Sequence, residues 1–163
     1  MENYRIFSRD NKITALIKKT ILYFLIALAV TFGVSLAIGY KYKIVATGSM
    51  EPVLHEMKTM VAIAPIDFRD VEVGDIVTWK SSDSPNAITF THRVVEKLEN
   101  GNYRTKGDAR HDVDGGELTE DKFLGKVVFK SHLIGGTIIY IKNYLWQCII
   151  AVVLFFLAYL AIC

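Results

Sequence analysis

Thr20–Tyr40 reads TILYFLIALAVTFGVSLAIGY and carries no charged side chain. A helix of roughly 20 mostly apolar residues, rising ~1.5 Å per residue, crosses a hydrocarbon layer about 30 Å thick. The run therefore predicts a transmembrane helix over 20–40. Asn143–Cys163, NYLWQCIIAVVLFFLAYLAIC, is also uncharged and predicts a second over 143–163. A buried core helix is the competing reading of each run. Two such helices would need more surrounding polypeptide than a chain of 163 residues supplies. The first run also exceeds the ~7–15-residue apolar region of a cleaved leader, so it reads as an uncleaved anchor.

The tail before the first run, residues 1–19, holds Arg5, Arg9, Lys12, Lys18 and Lys19 against Glu2 and Asp10. Positive charge favours the cytoplasmic side, which predicts an extracytoplasmic segment between the two runs. Lys41 and Lys43 oppose this only slightly. Residues 41–142 carry fourteen Lys/Arg and fifteen Asp/Glu, so no basic patch is offered to nucleic acid. Both cysteines, Cys148 and Cys163, fall in the second run. The segment between the runs has none with which to build a disulfide or a thiolate metal site.

That segment, 41–142, has the length of one domain and a β pattern. KIVAT, MVAIA, DIVTW, ITFTHRVVEKL and KVVF are short runs rich in β-branched and aromatic residues, separated by Gly, Pro, Asn and Asp. Val73-Gly74-Asp75 reads as a turn feeding a strand over 76–79, and residues 81–86 as a loop. Asn100-Gly101 reads as a two-residue hairpin turn, because both residues tolerate positive φ. A two-residue turn would set Arg93 opposite Asp108 and His92 opposite Ala109. The architecture expected is helix, compact mostly-β domain, helix.

Three places in the domain could carry chemistry. Ser49 lies in AlaThrGlySerMetGluPro, where Gly48 permits close approach and Pro52 stiffens the chain. A turn serine bonding its own backbone is the alternative. His92 lies in IleThrPheThrHisArgValVal, and a neutral imidazole is the usual base for a serine nucleophile. A structural strand histidine is the alternative, and His55, His111 and His132 are less well placed. The loop 106–116, KGDARHDVDGG, offers Asp108, Asp112 and Asp114, any of which could orient an imidazole through Nδ1–H. It also has the outline of a calcium loop, but Arg110 stands at the first ligand position, where a cation opposes the ion. Met50, Met57 and Met60 suit either an apolar rim at the lipid or core filler.

Taken in order, these blocks resemble type I signal peptidases from about Thr20 onward. SerMetGluPro at 49–52 is similar to the family's nucleophile box, ValGlyAspIleVal at 73–77 to its G-D-I-V box, ThrHisArgValVal at 91–95 to its general-base box, and LysGlyAsp…Asp at 106–114 to its G-D box. Most bacterial members carry lysine where this chain has His92. Histidine there is similar to the endoplasmic-reticulum, archaeal and sporulating-Gram-positive type, which is taken to use Ser and His with an aspartate. Arg110 departs from the asparagine that many relatives carry nearby.

The resemblance implies a mostly-β fold: a small signal-peptidase-like catalytic domain of coiled sheets flanked by two transmembrane helices. It implies a membrane-bound serine endopeptidase in the cell membrane of a bacterium or archaeon, its catalytic domain extracytoplasmic. The partners implied are secretory pre-protein signal peptides and the lipid bilayer, with no particular accessory subunit. Ser49 would be nucleophile, His92 base, and Asp114, or second Asp108, the group orienting His92. The Ser49 N–H and the Thr47 hydroxyl would form the oxyanion hole. No metal, nucleotide or other cofactor is implied. The competing functional readings are a non-catalytic, membrane-tethered β module that binds a protein partner, and a self-cleaving LexA-like protease. The two apolar runs and the histidine base oppose the latter.

Overall fold

The computed structural model describes the backbone of residues 2–82, 84 and 87–162. Side chains are described between 13 and 154, apart from 83, 85, 86, 146, 148 and 152. Two compact units divide at Tyr40/Lys41. The first is helix α1, Glu2–Ala37. It runs on through the basic stretch expected as the tail, residues 2–19 lying within the same helix. Gly39, at φ +95°, ends it: the Gly39 N–H donates to Leu36 O and the Tyr40 N–H to Ser35 O. Glycine is the residue that takes this left-handed closing conformation without strain. The apolar stretch over 20–40 therefore stops being helical before its last residues. Ile13–Ala37 is long and apolar enough to cross a membrane, its most apolar 18 residues having a mean hydropathy of 2.2.

In the second unit six strands form one antiparallel sheet in the order β1-β2-β6-β3-β4-β5. They are β1 Lys41–Ile44, β2 Met60–Ala64, β3 Ile76–Lys80, β4 Thr89–Lys97, β5 Tyr103–Lys106 and β6 Phe123–Ser131. The mostly-β expectation holds for this unit. KIVAT, expected as a strand, is displaced: β1 ends at Ile44. From there the chain leaves the ladder as an arm toward Ser49, held by the Val45 N–H on Thr59 O. Register shifts interrupt the β2/β6, β3/β6 and β4/β5 pairings. Such bulges bend and twist a sheet. At one of them Gly125 (φ +142°) lies so close to Ala64 O that no Cβ could fit.

One core cluster joins Phe68, Val71, Val77, Val94, Tyr103 and Leu118, with the Tyr103 ring edge-on to Phe68 and its hydroxyl donating to Phe68 O. The other joins Val45, Met50, Leu54, Val61 and Ile63. Met50, 1 % exposed, is thus core filler rather than rim, while Met57 is exposed.

Helix α2 spans His132–Ile162 and follows β6 without a linker. The uncharged run led to an expected start at Asn143. Lys142 bounds the uncharged run but does not interrupt the helix, which begins at His132. Its Gly135 abuts the backbone of Lys58–Met60, where a Cβ would meet Lys58 O, and the Thr59 hydroxyl is 2.7 Å from His132 Nδ1. The second expected span, 143–163, lies in large part on side chains outside those described. Among the described residues one helix, Ile13–Ala37, meets the criterion for crossing a membrane.

The β4–β5 hairpin differs from the two-residue turn expected at Asn100-Gly101. The Leu98 N–H donates to Asn102 O, the Gly101 N–H donates to Leu98 O, and Gly101 sits at φ +85°. This is a three-residue loop closing on a glycine bulge. Lys97 pairs with Tyr103, a second irregularity follows, and Arg93 pairs with Lys106 rather than Asp108. Each one-residue slip exchanges the two faces of a strand, and two slips restore them. Asp108 therefore still lies on Arg93's side, in the turn beyond β5. It accepts both the Nε and Nη2 bonds of Arg93, at 2.8 and 2.7 Å. Arg93 also donates to Gly74 O, tying the turn before β3 to the loop after β5. Asp108→Asn is expected to lower stability by about 1–2 kcal/mol, the range for a charge-assisted bond on a half-buried pair. Thermal unfolding of the variant beside the unaltered protein measures it.

Candidate active site

Ser49 sits in a short 3-10 turn, Gly48–Met50, anchored by the buried side chain of Met50. His92 is on β4, 4 % exposed, its ring centroid 5.5 Å from that of Trp79 and 6.2 Å from that of Phe90. Asp114 is in the loop after β5, its N–H donating to Thr105 O. The three side chains meet: Ser49 Oγ lies 2.9 Å from His92 Nε2, and His92 Nδ1 lies 2.6 Å from Asp114 Oδ2.

The direction of these bonds follows from the acceptor. An ionised carboxylate only accepts. Asp114 Oδ2 already receives the Thr105 hydroxyl at 2.7 Å. Nδ1 must then carry the proton, which leaves Nε2 as a lone-pair acceptor for the Ser49 O–H. An imidazole in this tautomer is poised to take the serine proton. Thr47 Oγ1 is 3.3 Å from Ser49 Oγ. Since the Ser49 hydrogen points to His92, the Thr47 hydroxyl is the donor in that pair.

Of the candidate residues in the sequence, Ser49, His92, Asp114 and Thr47 are brought together. Asp108 is not, being held by Arg93. Asp112 and His111 are exposed in the same loop. The ring centroids of His55 and His132 lie 4.6 Å apart at a tilt of 49°, and His55 Nδ1 meets Glu51 Oε2 at 2.5 Å. The Glu56 N–H, and after it His55, hold the Glu51 carboxyl below its ordinary pKa. Among the described residues no group of three His, Cys, Asp or Glu is arranged to hold a metal ion.

Two further residues belong to the site: Thr105, which no motif marks, and Gly107, the glycine of the G-D block. Thr105 is buried and fixes Asp114. Its one signal is position, two residues after Tyr103 on the inward face of β5. Gly107 stands where the strands converge: a Cβ there would lie 2.6 Å from Ser49 O and 3.3 Å from His92 Nε2. The neighbouring Ala109 N–H donates to that same Ser49 O at 2.9 Å.

A groove of about 500 Å³ opens on this site. One wall is the end of β1 with the arm that follows it, 43–49, the other is Ile88 with the start of β4, 89–92, and Ala109 and Arg110 lie at the Ser49 end. Lys43 lines the far end, donating to the Thr89 hydroxyl at 3.0 Å. Burial, and then Lys41, lowers its pKa from the ordinary lysine value.

Gly107→Ala is expected to displace the Ser49 backbone, because an oxygen of the main chain cannot retreat as a flexible side chain can. A misplacement of about 1 Å lowers a rate on the order of 10²-fold. Any Ser49-dependent hydrolysis should fall by that order while the protein still folds. Turnover measured alongside a thermal melt checks it.

No family model matches the chain. Over 86 residues it is 29 % identical to signal peptidase I W of Bacillus subtilis (strain 168), a stretch that covers 51 % of this chain and 44 % of that protein. The aligned part thus spans less than half the length of the relative. The similarity supports a signal-peptidase-like relationship without distinguishing a subtype.

Proposed function

We propose that the protein is a membrane-anchored serine endopeptidase that removes N-terminal signal peptides from secreted pre-proteins. The observation that carries the reading is the line of two hydrogen bonds, Ser49 Oγ to His92 Nε2 and His92 Nδ1 to Asp114 Oδ2. The partial similarity to a signal peptidase supports the choice of substrate class.

In this reading Ser49 Oγ attacks the carbonyl of the last signal-peptide residue as His92 takes its proton. Asp114 holds the imidazole in place and stabilises its charged form. The Ser49 N–H and the Thr47 hydroxyl receive the developing oxyanion; such a donor is typically worth ~10²–10³ in rate. His92 then gives its proton to the leaving amine. Water, activated by the same imidazole, hydrolyses the acyl-enzyme. The groove accepts an extended cleavage segment with small residues at its third-last and last positions. Helix α1 anchors the enzyme, with its basic end cytoplasmic and the β unit outside the cell membrane of a bacterium or archaeon. A second span over 143–163 makes it multi-pass.

Purified protein in detergent should cleave a model pre-protein, and Ser49→Ala should abolish cleavage without loss of folding. Asp114→Asn should cut turnover with little change in melting temperature. Full processing by a folded Ser49→Ala protein ends this reading and favours a non-catalytic binding module.

The orientation has its own test. A cysteine introduced at Ser82 should react with a membrane-impermeant thiol reagent added to intact cells, and one introduced at Asn3 should not. The opposite labelling pattern reverses the assigned topology.

A further inference from the structure

We propose that Arg110 gives the groove a preference for substrates with an acidic side chain beside the scissile bond. The inference rests on the peptidase reading above and adds a specificity to it.

The groove is lined by few charges, and all but one are engaged. Asp114 is shared by His92 and Thr105. Lys43 is bonded to Thr89 at the end remote from Ser49. Arg110 lines the groove at the Ser49 end, is exposed, and among the described residues has no side-chain hydrogen bond or ion pair. The nearest acid in sequence on one side, Asp108, is held bidentately by Arg93; Asp112 on the other side is exposed and makes no ion pair with it.

The backbone fixes where this charge stands. The Ala109 N–H donates to Ser49 O and the Arg110 N–H to Gly107 O. Arg110 is thus one residue, ~3.8 Å between Cα atoms, from a residue bonded to the nucleophile's own main chain. Its guanidinium can reach a residue flanking the bond that Ser49 attacks. Guanidinium stays charged at any working pH and presents paired N–H donors matched to a carboxylate. A substrate Asp or Glu would complete it, and a Lys would be repelled. Exposure keeps the effect modest, and salt should weaken it.

The experiment uses the full chain in detergent and one peptide scaffold carrying Asp, Asn or Lys in turn at the three positions on either side of the cleaved bond. The quantity read is the ratio of kcat/KM for Asp over Lys, which cancels any general loss of activity. Expected is a ratio of roughly 3–10 at a position flanking the bond, falling as salt is raised. Arg110→Glu should invert it, and the neutral Arg110→Gln should bring it close to one should the reversal fail to fold. A ratio near one at every position in the unaltered protein overturns the proposal, as does a ratio that survives both substitutions. So does an unchanged ratio with reduced binding of Arg110→Glu to phosphatidylglycerol vesicles, which would assign the charge to lipid headgroups. Ser49-dependent cleavage with a flat ratio overturns this inference alone. Absence of Ser49-dependent cleavage of every peptide overturns the peptidase reading with it.

Discussion

The Ala109 N–H bond to Ser49 O joins two segments that no strand pairing connects. The nucleophile turn hangs from the arm after β1, and His92 lies across β2, β6 and β3, on β4. A single backbone bond contributes only about 1 kcal/mol net. It can set the site because the loop that supplies it is held on both sides. Asp108 is clamped by Arg93 before it, and Asp114 is bonded to Thr105 through main chain and side chain after it. Gly107 then lets the two backbones close to a distance that any side chain would forbid.

The burial of His92 gives this geometry its electrostatic weight. The ring is 4 % exposed, so its bonds to Ser49 and Asp114 face little competition from water. A buried imidazole with one unpaired nitrogen would be costly. Here both nitrogens have partners, and the two bonds on Asp114 Oδ2 dictate which one carries the proton.

Much of this is legible in the amino-acid sequence. The uncharged run at 20–40 marks the apolar part of α1, and the β-branched runs mark most of the strands. The order of the Ser49, Gly74-Asp75, His92 and Gly107–Asp114 blocks marks the segments that converge. What is not legible has specific causes. β propensity does not separate a paired strand from an extended arm, so Val45–Thr47 reads as ladder. Asn100-Gly101 signals a hairpin but not its length, and the slip at Val94/Glu96 has no local signal at all. A two-residue turn puts Asp108 on Arg93's face only because the longer loop and the later slip cancel; neither is visible in the residues. Thr105 is silent in sequence, since a threonine on a strand is ordinary until its partner is known.

Helix α2 grows out of β6 at Ser131/His132 with no spacer, and its Gly135 lies flush against the backbone of 58–60. That seam is a weld, not a leash. The sheet cannot swivel about the helix axis without tearing the Thr59–His132 contact and lifting a glycine off its bed. Torque or tilt imposed on the helix is therefore delivered to β2, and through the Thr59 O–Val45 N–H bond to the arm that carries the serine. The helix acts on the sheet as a tiller does on a rudder: its inclination sets the heading of the groove.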